Sequence, residues 1–186
     1  GAVESLGYVT SGQLLALNSY ENRVYQVGLE DAAPLIAKFY RPQRWSDAAI
    51  IEEHAFALEL AAHEIPMVAP LQTGQTTLHR FEGYRFAVYP RQGGHWPELG
   101  NREERLWMGR FIGRIHAVGA ARSFKYRPAL DIDSFGHRPS RFLIEEGFLP
   151  AHIETAYRTL VADLLDRIGE YFERTGGISR IRLHGD

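Results

Sequence analysis

Apolar positions along the chain follow two rhythms: up to about position 90 short β-branched and aromatic runs interrupted by one helix, and a three-to-four-residue spacing after it. Arg23-Val24-Tyr25-Gln26-Val27 and Pro34-Leu35-Ile36-Ala37-Lys38-Phe39-Tyr40 are β-branched or aromatic runs. The turn-rich Gly28-Leu29-Glu30-Asp31 parts them, which predicts a hairpin. Residues 84–89 predict another strand, ended by Pro90. Residues 45–64 read as a helix with Ser46 as N-cap, Asp47 at the positive end of the dipole and Pro66 closing it.

Beyond Arg91-Gln92-Gly93-Gly94-His95-Trp96-Pro97 the spacing turns helical. Leu106, Met108, Phe111, Ile112, Ile115 and Val118 mark one face, and Gly109, Gly113 and Ala117 recur every fourth residue, a spacing that lets another helix approach closely. His116 falls on the packed side and is read as a core histidine rather than a ligand. A second long helix is predicted over residues 152–174, ended by Gly176-Gly177. Ile178, Arg180 and Arg182 then alternate with Ile181 and Leu183 as a short strand that delivers His184-Gly185-Asp186. Strands first and helices second make an α+β chain of two lobes, a β-rich one over 1–92 and a helical one over 93–186.

Composition narrows the class. With 186 residues, the chain matches one domain or two small lobes at roughly 100 to 200 residues per domain. It has no cysteine, which excludes disulfide scaffolds, thiolate zinc sites and cysteine nucleophiles. The net charge of −2 is not that of a polycation built for nucleic acid, so no nucleic-acid partner is expected. No run approaches the roughly 20 apolar residues of a membrane span, and no signal-peptide pattern opens the chain, so a soluble, cytoplasmic protein is expected.

Of the 21 basic residues only Lys38 and Lys125 are lysine, so arginine serves wherever a generic positive charge will do. Lys38 lies inside a strand, alternating with Ile36 and Tyr40, where a partly buried ammonium needs an anionic partner. A compact charge on a flexible stem suits phosphate oxygens in a nucleotide pocket; the competing reading is a lysine snorkelling from an edge strand. The following helix offers Glu52 and Glu53. Glu53 shares its stripe with Ala49, Phe56, Ala57 and Leu60 and is the inward one, whereas Glu52 falls beside Ala48, Glu59 and His63 on the outer side.

Two further segments are weaker alone. The polar loop Leu17-Asn18-Ser19-Tyr20-Glu21-Asn22-Arg23-Val24-Tyr25 could approach phosphate, because Asn tolerates left-handed backbone and a Ser hydroxyl adds a donor, or it could be an ordinary hairpin turn. His184-Gly185-Asp186 could present a carboxylate that accepts a proton from an attacking hydroxyl, or be a plain turn. No metal spacing of the HExxH kind and no G-x-S-x-G elbow occurs. Arg102, Arg105, Arg110, Arg114, Arg122, Lys125 and Arg127 read as a solvated face rather than a binding patch.

The order of polar loop, strand lysine, helix glutamate, strand with a Pro-containing hinge, helices and HGD resembles the protein-kinase-like two-lobe fold in its aminoglycoside/choline phosphotransferase branch. The strings from Leu17 to Tyr25, Lys38-Phe39-Tyr40-Arg41-Pro42, Glu52-Glu53-His54, Phe86-Ala87-Val88-Tyr89-Pro90 and Arg182-Leu183-His184-Gly185-Asp186 are similar to those of the bacterial stress response kinase A family. That resemblance implies a cytoplasmic, monomeric serine/threonine protein kinase using ATP and Mg²⁺ on a protein substrate. It further implies Ser19 as the phosphate-loop contact, Lys38 on the α- and β-phosphates, Glu53 as its helix partner and Val88 behind the adenine. The backbone of Tyr89 and Arg91 would then pair with the adenine edge, and Asp186 would be the catalytic base. In such kinases the metal-binding Asn and a second metal-binding Asp lie beyond the position of Asp186, the Asn about five residues on. No metal ligand is therefore expected within these residues, the helical lobe is expected to be incomplete, and transfer by the chain alone is not expected. The alternatives are a small-molecule kinase for an aminoglycoside-like or amino-alcohol acceptor, and a non-catalytic pseudokinase or binding fragment.

Overall fold

The computed structural model describes residues 1–94, 97–176 and 178–183. Backbone contacts divide the chain into two compact units, residues 1–127 together with the stretch that starts at Ile181, and residues 128–180.

The first unit is built on five antiparallel strands: β1 (Thr10–Leu17), β2 (Arg23–Leu29), β3 (Leu35–Phe39), β4 (His79–Phe81) and β5 (Tyr84–Pro90). They lie in the order β1-β2-β3-β5-β4. Register places Val24 opposite Lys38, Lys38 opposite Ala87 and Ile36 opposite Tyr89. Because side chains alternate between faces, Val27, Leu35, Ala37, Phe86 and Val88 share the opposite face, where they pack with Val3. The hairpin and the strand ending at Pro90 are as the alternation predicts; the short β4 carries too few residues for a periodic signal.

Helix α1 (Asp47–Ala62) begins where the Ser46 hydroxyl accepts the Ala49 N–H at 3.1 Å. Its Ile50 packs with Tyr40 and Ala87, and its Phe56 and Leu60 pack with Ile65 against Ile115, Val118 and Phe124. Ile115 and Val118 come from α2 (Arg102–Gly119), capped by the Asn101 side chain on the Glu103 N–H.

Four expectations are corrected. His116 is exposed, because the inward stripe of α2 runs through Ile115 and Val118, and His116 lies off it. A Cβ on Gly109 or Gly113 would meet nothing within 4 Å, so among the described residues no helix uses that small-residue stripe. The close approach is at Gly119, where a Cβ would stand 2.2 Å from the Arg182 carbonyl oxygen. Residues 178–183 form no strand; a strand needs a ladder partner, and here the Arg182 N–H bonds the Gly119 carbonyl at a helix end. Glu52 is not a solvated outer charge, as described below.

In the second unit a π-helical turn (Asp133–His137) leads into α3 (Arg138–Glu145), followed by α4 (Ala151–Arg174). Gly136 lets that turn lie against α4, since a Cβ there would fall 2.3 Å from Leu165 Cδ2. Gly176, with φ of 67°, takes the left-handed conformation that follows the end of α4. No helix among the described residues is long and apolar enough to cross a membrane.

Candidate functional site

In the first unit the face of the sheet opposite Val88 borders a cavity of about 580 Å³. Val24, Ile36 and Lys38 line it from the strands, Glu53, His54, Phe56 and Ala57 from α1, and Tyr89, Pro90 and Gln92 from β5 and its exit. Phe124, Arg127 and Leu183 close the far side. Apolar walls with a few convergent charges are the usual make-up of a small-molecule site.

Lys38 and Glu53 come together as the helical-face reading requires, with Nζ 3.6 Å from Oε1. The ammonium also sits 5.1 Å from the centre of the Tyr40 ring. The second carboxylate oxygen of Glu53 is held by a residue that helix periodicity does not single out: Arg127 Nη1 lies 2.9 Å from Oε2. The Arg127 guanidinium stacks 4.3 Å over the Trp45 ring. The Trp45 indole N–H donates to Glu21 at 2.7 Å, and Arg44 pairs with the same carboxylate at 3.3 Å. Glu21 belongs to the polar loop between β1 and β2, so the chain of contacts runs from that loop to the lysine. Within the loop the Ser19 hydroxyl accepts the Asn22 N–H at 3.3 Å, and the Asn22 side chain accepts the Arg41 N–H at 3.3 Å.

Glu52 turns away from Lys38 but is not idle. Its carboxylate accepts three successive backbone N–H groups, those of Lys125 at 2.6 Å, Tyr126 at 2.8 Å and Arg127 at 2.9 Å. Burial pushes its pKa up, yet those three donors outweigh burial and hold it below the usual carboxylate range. Adjacent glutamates on α1 thus face different partners, one clasping a loop and the other pairing with the cations.

Behind the pair lies a buried polar cluster. His54 Nε2 is 2.6 Å from the Tyr40 hydroxyl, its Nδ1 is 2.8 Å from Thr77 Oγ1, and the Tyr40 and Tyr89 hydroxyls are 3.1 Å apart. Burial first, then the charge of Lys38, lowers the His54 pKa to about 4, so the ring is neutral near pH 7. Burial likewise pushes the Tyr89 phenol up to about 12 and raises that of Tyr40. His54 lies one turn after Ile50 on the inward stripe of α1, a position at which a histidine is a sequence signal for a buried, bonded imidazole.

The other expected site residues divide. Tyr89 lines the cavity with its side chain, whereas Val88 is fully buried on the opposite face and is not brought into the cleft. Arg91 is exposed, its Nε donating to Gln26 at 3.1 Å. Asp186, with His184 and Gly185, lies outside the described residues. The segment leading to them is anchored: buried Arg182 makes a bidentate pair with Glu59 at 2.6 and 3.2 Å and donates to the Val118 carbonyl at 2.9 Å. Among the described residues no group of three acidic or histidine side chains could hold a metal ion.

An antiparallel sheet whose strand lysine meets a glutamate on the following helix, beside a partly apolar cleft, is the nucleotide-side architecture of kinase-like phosphotransferases. The phosphotransferase enzyme family model matches residues 13–186, and the chain belongs to that family. It is 38% identical over 180 residues to the serine/threonine protein kinase RdoA of Salmonella typhimurium (strain LT2), covering 97% of this chain and 54% of that protein. It is 36% identical over 178 residues to stress response kinase A of Escherichia coli (strain K12), covering 96% and 53%. The chain therefore spans about half the length of the curated relatives it matches. Among solved structures it is similar to "Amicoumacin kinase hAmiN in complex with AMP-PNP, Ca2+ and Ami", with a TM-score of 0.69 at 18% identity over 89% of this chain and 50% of that one. The microcompartment-associated aminopropanol kinase gives 0.58 at 21%, over 88% and 55%. At such identities the likeness speaks for the fold.

Proposed function

We propose that the protein is an ATP-dependent phosphotransferase, and specifically a bacterial serine/threonine protein kinase of stress response, cytoplasmic and monomeric, whose partners are ATP and a protein bearing Ser or Thr. The observation that carries this reading is the Lys38–Glu53 pair inside the cavity. Lys38 supplies a mobile ammonium for phosphate oxygens, Glu53 holds it at the cleft, and Ser19 offers its hydroxyl from the loop. Tyr89 and Arg91 offer backbone groups to the adenine edge, while Val88 supports β5 from the opposite face. Residues 1–92 form the nucleotide-binding part, and residues 93–186 the opening of the helical part, up to the catalytic loop.

In the reaction the acceptor hydroxyl oxygen bonds the γ-phosphorus, the bond to the β,γ-bridging oxygen breaks, and ADP leaves with that electron pair. Asp186 accepts the hydroxyl proton. Mg²⁺ would neutralise charge developing on the transferred phosphoryl group.

In the full-length protein, Lys38→Ala is expected to lower γ-phosphate transfer from ATP about 100-fold or more; transfer at the wild-type rate would rule the reading out. A second reading, a kinase of small amines, is favoured by the names of the two solved neighbours. A panel setting Ser/Thr protein substrates against amino-alcohols and aminoglycosides separates the two. Nucleotide binding without transfer to any acceptor would mark a pseudokinase.

A further inference from the structure

The chain leaves the first unit after Arg127 and re-enters it at Ile181. No strand ladder receives it there, and of residues 178–183 only Arg182 is buried. Its guanidinium makes the bidentate pair with Glu59 on one side and donates to the Val118 carbonyl at 2.9 Å on the other, while its backbone N–H donates to the Gly119 carbonyl at 3.2 Å. The flat cation also lies over the Phe56 ring at 4.5 Å and the Phe124 ring at 5.9 Å. The last carbonyls of a helix lack intrahelical partners and carry its negative end, so α2 ends in a socket for a cation. A side chain at position 119 would run into the Arg182 backbone, so the glycine there belongs to the same socket. The very next residue, Leu183, already lines the cavity.

We infer that Arg182 is a positioning residue for phosphoryl transfer: clamped between Glu59 and the end of α2, it fixes the point at which the chain enters the cleft, and so the placement of the carboxylate four residues later. This rests on the reading of Asp186 as the proton acceptor given above. Four residues reach at most about 14 Å, so a fixed Arg182 confines that carboxylate and a released one does not. Helix α1 thereby serves both halves of the reaction. Its Glu53 holds the phosphate lysine, and its Glu59, about 9 Å further along the axis, holds the tether. A staple that served stability alone would do so from any buried spot; this one sits one residue ahead of the cavity wall, on a stretch with no other buried residue. Release at this single point is felt at the reacting atoms, where a misplacement of about 1 Å is worth roughly 100-fold in rate.

The test uses the full-length protein and reads AMP-PNP affinity by titration calorimetry beside kcat and KM for ATP, with the best acceptor of the panel above, casein standing for the Ser/Thr proteins. Arg182→Met fills the space without leaving a buried charge unpaired. It is expected to lower kcat about 100-fold while AMP-PNP affinity and the KM for ATP stay within about threefold of wild type. Gly119→Ala keeps both charges and displaces the segment through its Cβ alone; it should lower kcat at least about tenfold and serves if the methionine variant does not fold. Glu59→Leu leaves the guanidinium unpaired, and adding Arg182→Met to it should restore the urea midpoint but not kcat. A purely structural staple would not give that split, since its rate would return with its stability. A kcat within about threefold of wild type in Arg182→Met, a parallel loss of AMP-PNP affinity, or a double variant that regains kcat together with stability would each overturn the inference. A wild type that transfers to no member of the panel overturns the phosphotransferase reading itself, whereas a wild type that transfers while the variants keep its kcat overturns this inference alone.

Discussion

His54 carries the clearest pH signature of any single residue. Its pKa is about 4 in the fold against 6.5 when unperturbed, so the unfolded chain binds a proton that the folded one refuses as pH drops through that interval. Stability therefore rises with pH between the two values, is complete above 6.5, and is lost on the way down to about 4. The gap corresponds to something on the order of 3 kcal/mol. Urea titrations across this window should show that slope in the wild type and a flatter one in His54→Gln, whose amide can still bond Tyr40 or Thr77. Equal slopes would remove His54 as the cause. Glu59, held low by its bond to Arg182, contributes in the same direction but below its ordinary carboxylate value, so the difference between the two proteins isolates the imidazole.

Helix α1 works on three sides. Ile50 and His54 face the sheet, Glu53 faces the cleft, and Glu52 and Glu59 hold segments distant in sequence. The staple at Glu59 is the deepest of these, because Arg182 is buried between it and the carbonyls at the end of α2, over the Phe56 ring at 4.5 Å. Removing Glu59 leaves the buried Arg182 guanidinium without its counter-charge, so Glu59→Ala should cost about 3–5 kcal/mol, while Arg182→Ala, which leaves only the partly exposed Glu59, and Glu59→Leu with Arg182→Met should each cost far less. Denaturant unfolding of the three variants checks this, and equal losses would contradict it. Periodicity alone assigns α1 its inward and outward stripes correctly around Glu53. It misplaces Glu52 and Glu59, because their partners, residues 125–127 and 182, come from more than 70 positions away.

For the whole molecule, ligand linkage is the coarsest and most direct check on the cavity. A ligand at 100 times its Kd that binds only the folded form adds about 2.7 kcal/mol. For 150–250 residues that would raise Tm by roughly 5–10 °C, and for a longer chain by correspondingly less. AMP-PNP should produce such a shift in a thermal melt of the full-length protein, and Lys38→Ala should abolish it; a shift that survives the substitution would place the nucleotide elsewhere.

Local pattern was enough to determine the strands around Lys38, the capped helix carrying Glu53 and the inward choice between two adjacent glutamates, since each depends on residues within a turn or a hairpin of one another. Family resemblance in the same strings was enough to anticipate the kinase-like fold. Tertiary structure alone decided that Arg127 shares Glu53, that Glu52 clasps the loop presenting it and that Val88 faces away from the cleft. It also decided that residues 178–183 run as an extended tether on Arg182 rather than as a strand. Those outcomes turn on which distant backbone and side chain meet, and neither alternation nor helical spacing encodes a contact between segments so far apart in the chain.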